Sequence, residues 1–306
     1  MAQIIRDNWA TELDAVVNLR FREGLANRAA TMVGSTLFNM QRAPIGGTVN
    51  VTSAGAVSPD AWDNYENAGV VSQADFDKYY LKTYTHKEYP LEVAIQRKLL
   101  DDGNTTQIFN IPFRLGDSAM VKRETDMASV FVNAFDSNFA GGDAVELCDG
   151  AHPHSAAKSG ATQSNVGTDA LTAANISKAR RLMRAFTDDA GNPMGSNGNL
   201  VLVPNELETA GRIAVGSPQD PDSANNANNP ASQNIRLVVW DYLTDANAWF
   251  LIDAMKMMQM LDFFDRVPVS IVPKVEDKTI NATWIAYMRY SFGFSSWQWV
   301  YGNNPS

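Results

Sequence analysis

FRLGDSAMVKRETDMASVFVNAFDSNF, residues 113–139, is the stretch on which the reading of the whole chain turns. Its apolar residues Phe113, Met120, Met127, Val130, Phe131 and Ala134 fall mostly three, four or seven positions apart. That spacing predicts one apolar helix face, with Lys122, Arg123, Glu124 and Asp126 largely turned away from it. Pro112 stands just before the run, where a missing N–H costs a helix little. About 23 helical residues would span roughly 34 Å. Taken alone, this is an ordinary long core helix; its flanks give it a role.

The chain around it has 306 residues, enough for a substantial core in one elaborated domain or two. Hydrophobic residues at 45% and charged residues at 19% describe a globular protein rather than a disordered one. The formal net charge of −9 and the lack of a basic cluster exclude a protein that grips nucleic acid by neutralising phosphates. An acidic wall around packaged nucleic acid fits that balance, as does an ordinary soluble enzyme. No run approaches 18 apolar residues, and residues 1–6 lack the basic and apolar regions of a signal peptide. A single cysteine, Cys148, excludes an internal disulfide framework. A cytosolic product is expected.

Working outward, residues 8–32 form an amphipathic pattern with Leu13, Val16, Val17 and Leu25 as its stripe and Asp7 or Asn8 as its cap. Such a helix either packs on its own domain, the plainer reading, or reaches onto a neighbour. Residues 42–73 are rich in Gly, Ala, Ser and Asn, which suits an extended excursion better than a core layer. In residues 76–95, Tyr79, Leu81 and Thr83 alternate with Tyr80, Lys82 and Tyr84, a period of two in strong β formers. A long aromatic hairpin arm is expected there, with tyrosines exposed on both faces as an interface would use them. Residues 93–102, VAIQRKLLDD, predict a short helix that Gly103 terminates.

Beyond the long helix, residues 140–165 are a Gly/Ser/Ala-rich connection, and residues 172–186 predict a second helix with Ile176, Ala179, Leu182, Met183 and Phe186 on one side. Residues 200–203 read as a buried strand, and 204–213 as a helix. Residues 217–234 are almost all polar turn formers and read as an exposed loop. Strands are expected at 235–240, 248–252, 267–272 and 280–294, the last buried on both faces. The element list is α+β.

Chemistry is sparse. Cys148, His152 and His154 give C-x3-H-x-H, but a structural zinc site wants four tetrahedral ligands; a metal-dependent enzyme built on these three residues is the remote alternative. The phosphate-binding loop, the dinucleotide fingerprint and the nucleophile elbow are all missing. The pairs Asp101–Asp102 and Asp188–Asp189 are sequence neighbours beside glycines, so they suit solvated helix ends rather than acid/base dyads. No catalytic residue, cofactor or metal is expected.

Several motifs carry a resemblance. KTYTHKEYPLEVAIQRKLLDD at 82–102, FVNAF at 131–135, AHPHSAAKSGATQSN at 151–165, LVLVPNELE at 200–208, DYLTDANAWFLID at 241–253 and YSFGFSSWQWVYG at 290–302 stand in one order. In that order they resemble tailed-bacteriophage major capsid proteins, particularly the Mu-like major head subunit group. The resemblance covers about three quarters of the chain, from about residue 75 onward.

The resemblance implies the Hong Kong 97-type capsid fold. It implies an N-terminal arm at 1–41, an extended loop at 42–95, and a peripheral domain at 96–199 with its spine helix near 113–139. An axial domain would follow at 200–261 with the loop 217–234 exposed, and 262–306 would return to the peripheral domain. The function implied is self-assembly into hexamers and pentamers of an icosahedral shell enclosing double-stranded DNA without reading its sequence. Portal, scaffolding or protease and decoration proteins would be partners, the virion the location, and the host cytoplasm the place of assembly, with no membrane involved. Leu13, Val16, Val17, Tyr79, Tyr80, Lys82, Tyr84, Ser217 and Asn234 are the candidate interface residues. An encapsulin-like compartment around an enzyme cargo is the alternative on the same fold.

Overall fold

A computed structural model of the chain describes residues 4–54, 78–96, 98, 102, 105–153, 162–188, 190–219, 228–229, 234–274 and 282–305. Helices α1 (Ile4–Ala29) and α2 (Gly34–Leu37) lead to β1 (Asn39–Arg42), β2 (Thr48–Ala54), β3 (Lys78–Thr85) and β4 (Lys87–Ile95). The long helix α3 (Thr105–Val132) follows, then the short strands β5 (His152–Pro153), β6 (Thr162–Gln163) and β7 (Val166–Gly167). Helix α4 (Ala173–Arg184), β8 (Leu200–Val203), α5 (Glu208–Gly216), β9 (Arg236–Val239), β10 (Trp249–Ile252) and α6 (Ala254–Met260) come next. The chain closes with β11 (Leu261–Lys274), β12 (Ala282–Phe294) and β13 (Val300–Asn303).

Helix α3 starts eight residues before the expected position and holds Pro112 inside it. Proline there removes the bond to the Ile108 carbonyl, at a cost of about 3 kcal/mol in a helix interior. Burial offsets it: Ile108 is 2% exposed, in one cluster with Val17, Phe21, Ile95 and Trp284. The helix also ends earlier than expected, at Val132, because residues 133–139 turn. Asp136 Oδ1 accepts from the Asn138 backbone N–H at 3.0 Å, a local bond that competes with the helix.

Helix α1 runs beside α3 in the same direction: Arg20 lies over the Phe109 ring, Gly24 abuts Phe113, and Arg28 faces Asp117. A Cβ on Gly24 would collide with the Phe113 carbonyl oxygen, and one on Gly116 with that of Phe21. Only glycine lets the two backbones come this close.

Two sheets flank the long helix. A four-stranded sheet of order β1-β11-β12-β4 is antiparallel except for the parallel β1–β11 edge. Phe263, Ile271, Trp284 and Tyr290 pack it into the clusters built around α1 and α3. The five-stranded sheet, order β7-β13-β10-β8-β9, is a middle layer. Leu200, Leu202, Phe250 and Ile252 join the α3 side, and Val201, Val203, Trp249 and Leu251 join α4 and α5. Both faces are covered, so β8 and β10 are apolar without alternation.

One sequence expectation fails here in part. Residues 93–95 belong to β4 rather than a helix, paired antiparallel with Ala282, Thr283 and Trp284; further on, Lys98 is helical and its carbonyl accepts from the Asp102 N–H at 2.9 Å, while residues 97 and 99–101 lie outside the described residues. The five-stranded sheet also draws β7 and β13 from either side of the expected 200–261 segment. A division at 199/200 and 261/262 therefore cuts through one sheet.

Candidate assembly surface

The hairpin arm leaves the four-stranded sheet on strands β2 and β3, paired antiparallel from Thr48–Thr85 out to Ala54–Lys78. Period two assigns its faces. Tyr80, Lys82 and Tyr84 point inward with Val49 and Val51, whereas Leu81, Thr83 and Thr85 are exposed.

The inward residues are tied to their own chain. The Tyr80 hydroxyl donates to the Pro153 carbonyl at 2.5 Å, and Lys82 Nζ donates to the Ala140 carbonyl at 2.5 Å. Burial lowers the Lys82 pKa, and the Asp143 carboxylate opposes that shift. Tyr84 is 2% exposed, packs on Phe264 at 5.2 Å between ring centroids, and joins Ala43 in a small apolar cluster. Burial, then the nearby Asp262, pushes the Tyr84 phenol far above its ordinary range. Burial pushes the Asp262 carboxyl up to about 6, with Tyr84 drawing it the other way.

The expected interface set therefore divides. Tyr80 and Tyr84 are buried within the subunit, which corrects the expectation that the tyrosines face outward; Tyr79 lies on β3, its side chain outside the described residues. Lys82 is half-buried. Leu13 and Val17 are buried against α3 and the sheet, with Val16 half-buried, so α1 packs on its own subunit. Ser217 is half-buried and its hydroxyl donates to the Gln219 carbonyl at 2.5 Å; Asn234 is exposed at φ 61°. Between them, Asn229 is 1% exposed and Nδ2 donates to the Ala214 and Ser217 carbonyls, which pins the base of the loop. Residues 220–227 and 230–233 lie outside the described residues. Leu81, 55% exposed on the arm's outer face, is the residue that sequence reasoning passed over. Its alternation with Tyr80 and Lys82 puts it on the other face from them, but does not say which face the subunit claims.

The Cys148 and His152 pair is structural. Cys148 is buried against Gly302 and Phe135, and burial pushes its thiol well above the ordinary range. His152 is 0% exposed; Nδ1 meets Asp143 Oδ2 at 2.7 Å and Nε2 meets Asn165 Oδ1 at 3.0 Å, leaving no free ring nitrogen for a metal. His154 lies outside the described residues. Among the described residues no three His, Cys, Asp or Glu side chains converge as a metal site, and no helix is long and apolar enough to cross a membrane.

A family model described as "Phage capsid protein" matches residues 79–303, well over half of the chain. The chain belongs to the phage capsid protein family. No relative of curated function matches its sequence. Solved structures share the fold at low identity. The capsid of the cyanophage P-SCSP1u aligns with a TM-score of 0.55 and 8% identity, over 90% of this chain and 88% of that one. A Mycobacterium phage Patience chain aligns at 0.54 and 12%, over 95% and 88%. The SrpI encapsulin complex of Synechococcus elongatus aligns at 0.53 and 11%, over 88% and 85%. This capsid protein thus has the Hong Kong 97-type α+β fold, and its family is a structural, shell-forming one. These findings do not single out the Mu-like head subunits within the family. As a capsid protein it is a virion component, and the arm and polar loop become its candidate contacts with neighbours.

Proposed function

We propose that this major capsid protein closes an icosahedral head of hexamers and pentamers around double-stranded DNA by laying its β2–β3 arm over a neighbouring subunit. The observation that carries the mechanism is the arm's two-sided character. Its inner face is consumed by its own subunit through Tyr80, Lys82 and Tyr84. Its outer face presents Leu81 with Thr83 and Thr85. A single exposed leucine is ordinary on a protein surface; in this reading Leu81 is a weak contact that gains its effect from repetition, since many copies add up on closure of a shell.

In this reading the long helix α3 and the four-stranded sheet form the peripheral body, and the loop 217–234 points toward the capsomer centre. The net charge of −9 suits a wall that contains DNA without gripping it. Portal, scaffolding or protease and decoration proteins would act with it, and assembly would take place in the host cytoplasm.

Electron microscopy of the protein expressed alone tests the reading. The full chain should give closed shells, whereas a chain with residues 55–77 replaced by a short Gly-Ser linker should remain folded and stay as free subunits or rings. Closed shells of normal stability from the shortened chain would sink the interlocking mechanism. The nucleic-acid content of particles from infected cells separates a DNA head from a compartment filled with a protein cargo.

A further inference from the structure

The root of the arm gathers positive charge with little to balance it. His86 stands between β3 and β4, 5% exposed, and its backbone N–H donates to the Gly47 carbonyl at 3.0 Å. Its Nδ1 lies 2.9 Å from Ser291 Oγ on β12, which fixes the ring. Nε2 is buried and has no hydrogen-bond partner. Arg289 stands two residues from Ser291, on the same face of β12, and its Nη2 lies 3.9 Å from where a Cβ on Gly47 would stand. On β11 the register breaks between Asp265 and Val267, so Arg266 is the extra residue of a bulge beside Arg289. Burial, then Arg289 and Arg266, lower the His86 pKa, so both guanidiniums act on one neutral ring.

The chain's own carboxylates do not close this cluster. Glu88 Oε1 comes only within 3.6 Å of Arg289 Nε, and its side chain is 57% exposed. Asp265 Oδ2 is bound by Arg123 of α3 at 2.9 Å, and Asp262 Oδ1 accepts from Gln41. Arg266 Nε and Arg289 Nε, like His86 Nε2, are buried without a partner. Polar atoms buried unpaired destabilise a fold, so three of them together mark a site completed from outside. Two planar guanidinium forks select an oxyanion, and a carboxylate matches them best. A phosphate would fit the same forks, but a strand of DNA needs a row of cations, and the sequence has no basic cluster to supply it. The chain carries 34 Asp and Glu against 25 Lys and Arg, so another copy offers carboxylates in plenty. Ile45, 93% exposed in the turn that carries Gly47, adds an apolar neighbour to such a contact. We propose that Arg266 and Arg289, with His86 behind them, form a receptor at the arm's root for one Asp or Glu side chain of a neighbouring copy. The proposal rests on the shell-forming reading, but not on the arm lying across that neighbour.

Phenylglyoxal, which condenses with accessible guanidinium groups, tests the contact on the wild-type chain by mass spectrometry. Protein expressed alone and treated with nuclease supplies shells free of nucleic acid. Arg266 should react readily in unassembled subunits and about tenfold more slowly in those shells. An Arg266 equally reactive in both, or closed in the free subunit, overturns the proposal. So does protection seen only in DNA-filled heads, which would assign the site to phosphate. A chain that makes no shells sinks the assembly reading and this contact with it, whereas shells with reactive Arg266 sink the contact alone. Arg266→Lys then identifies the partner. In shells mixed from isotopically light and heavy subunits, a carbodiimide should join the amine at position 266 to an Asp or Glu of another copy. No link, or one confined to a single chain, would show that no neighbour fills the site.

Discussion

Asp262 is buried beneath the arm's root, where Gln41 Nε2 donates to its Oδ1 at 3.3 Å. Burial raises its carboxyl from 3.8 to about 6, so between those values the folded chain binds a proton that the unfolded chain releases. Stability then falls as pH rises through the window, and the full penalty applies above about 6. Asp262→Asn, which imitates the protonated acid, should flatten that slope and add on the order of 1–3 kcal/mol above the window. Below pH 4 the variant and the parent should unfold alike in urea. Glu124 is buried too, and it is surrounded by donors. Its Oε1 accepts from the Val33 and Gly34 N–H groups and from Trp240 Nε1, at 2.8, 3.0 and 2.7 Å. The helical spacing of residues 113–139 puts Glu124 on the outward, polar side, yet it is 2% exposed. Periodicity measures one apolar face; it is blind to donors that arrive from 90 and 116 residues away.

At the scale of elements, pattern carried far where a segment settles its own conformation. The 172–186 helix was legible from its apolar stripe; the structure starts it at Ala173, with Thr172 as the cap that accepts from the Asn175 N–H at 3.2 Å, and ends it at Arg184. Strand β12 was legible from its aromatic, β-branched composition. Reading failed where a distant partner decides. Residues 93–95 have apolar spacing that fits helix or strand, and pairing with β12 selects strand. The start of α3 was hidden by Pro112, because packing against α1 outweighs the local signal. The same contact gives a prediction. Gly116→Ala improves helix propensity by about 1 kcal/mol. It also drives a methyl group into the backbone oxygen of Phe21, which has no side-chain freedom to yield. The net result should be a loss of about 2–4 kcal/mol and a melting temperature lower by several degrees. An unchanged or raised melting temperature would show that α1 and α3 separate at little cost.

For the whole molecule, the question is which residues hold the subunit and which hold the shell. Phe131 belongs to the first group: it meets Trp240, Phe250 and Trp299 edge-on at 5.9, 5.4 and 5.9 Å, joining α3 to the five-stranded sheet. Phe131→Asp puts an unpaired carboxylate into that contact and should abolish folding and shells together. The arm's candidate contacts could be sorted only once burial was known, since alternation alone does not say which face its own subunit claims. Tyr80, Lys82 and Tyr84 lie on the claimed face, and Leu81 on the other. Leu81→Asp should therefore leave the unfolding free energy of the unassembled subunit, measured in urea, within about 0.5 kcal/mol of the parent. Shells should nevertheless fall away, because every copy of the contact is lost at once and closure multiplies the deficit. Gradient sedimentation measures the shell fraction and chemical denaturation measures the fold. If Leu81→Asp lowers both in proportion, the arm's outer face belongs to the subunit's own stability rather than to a neighbour.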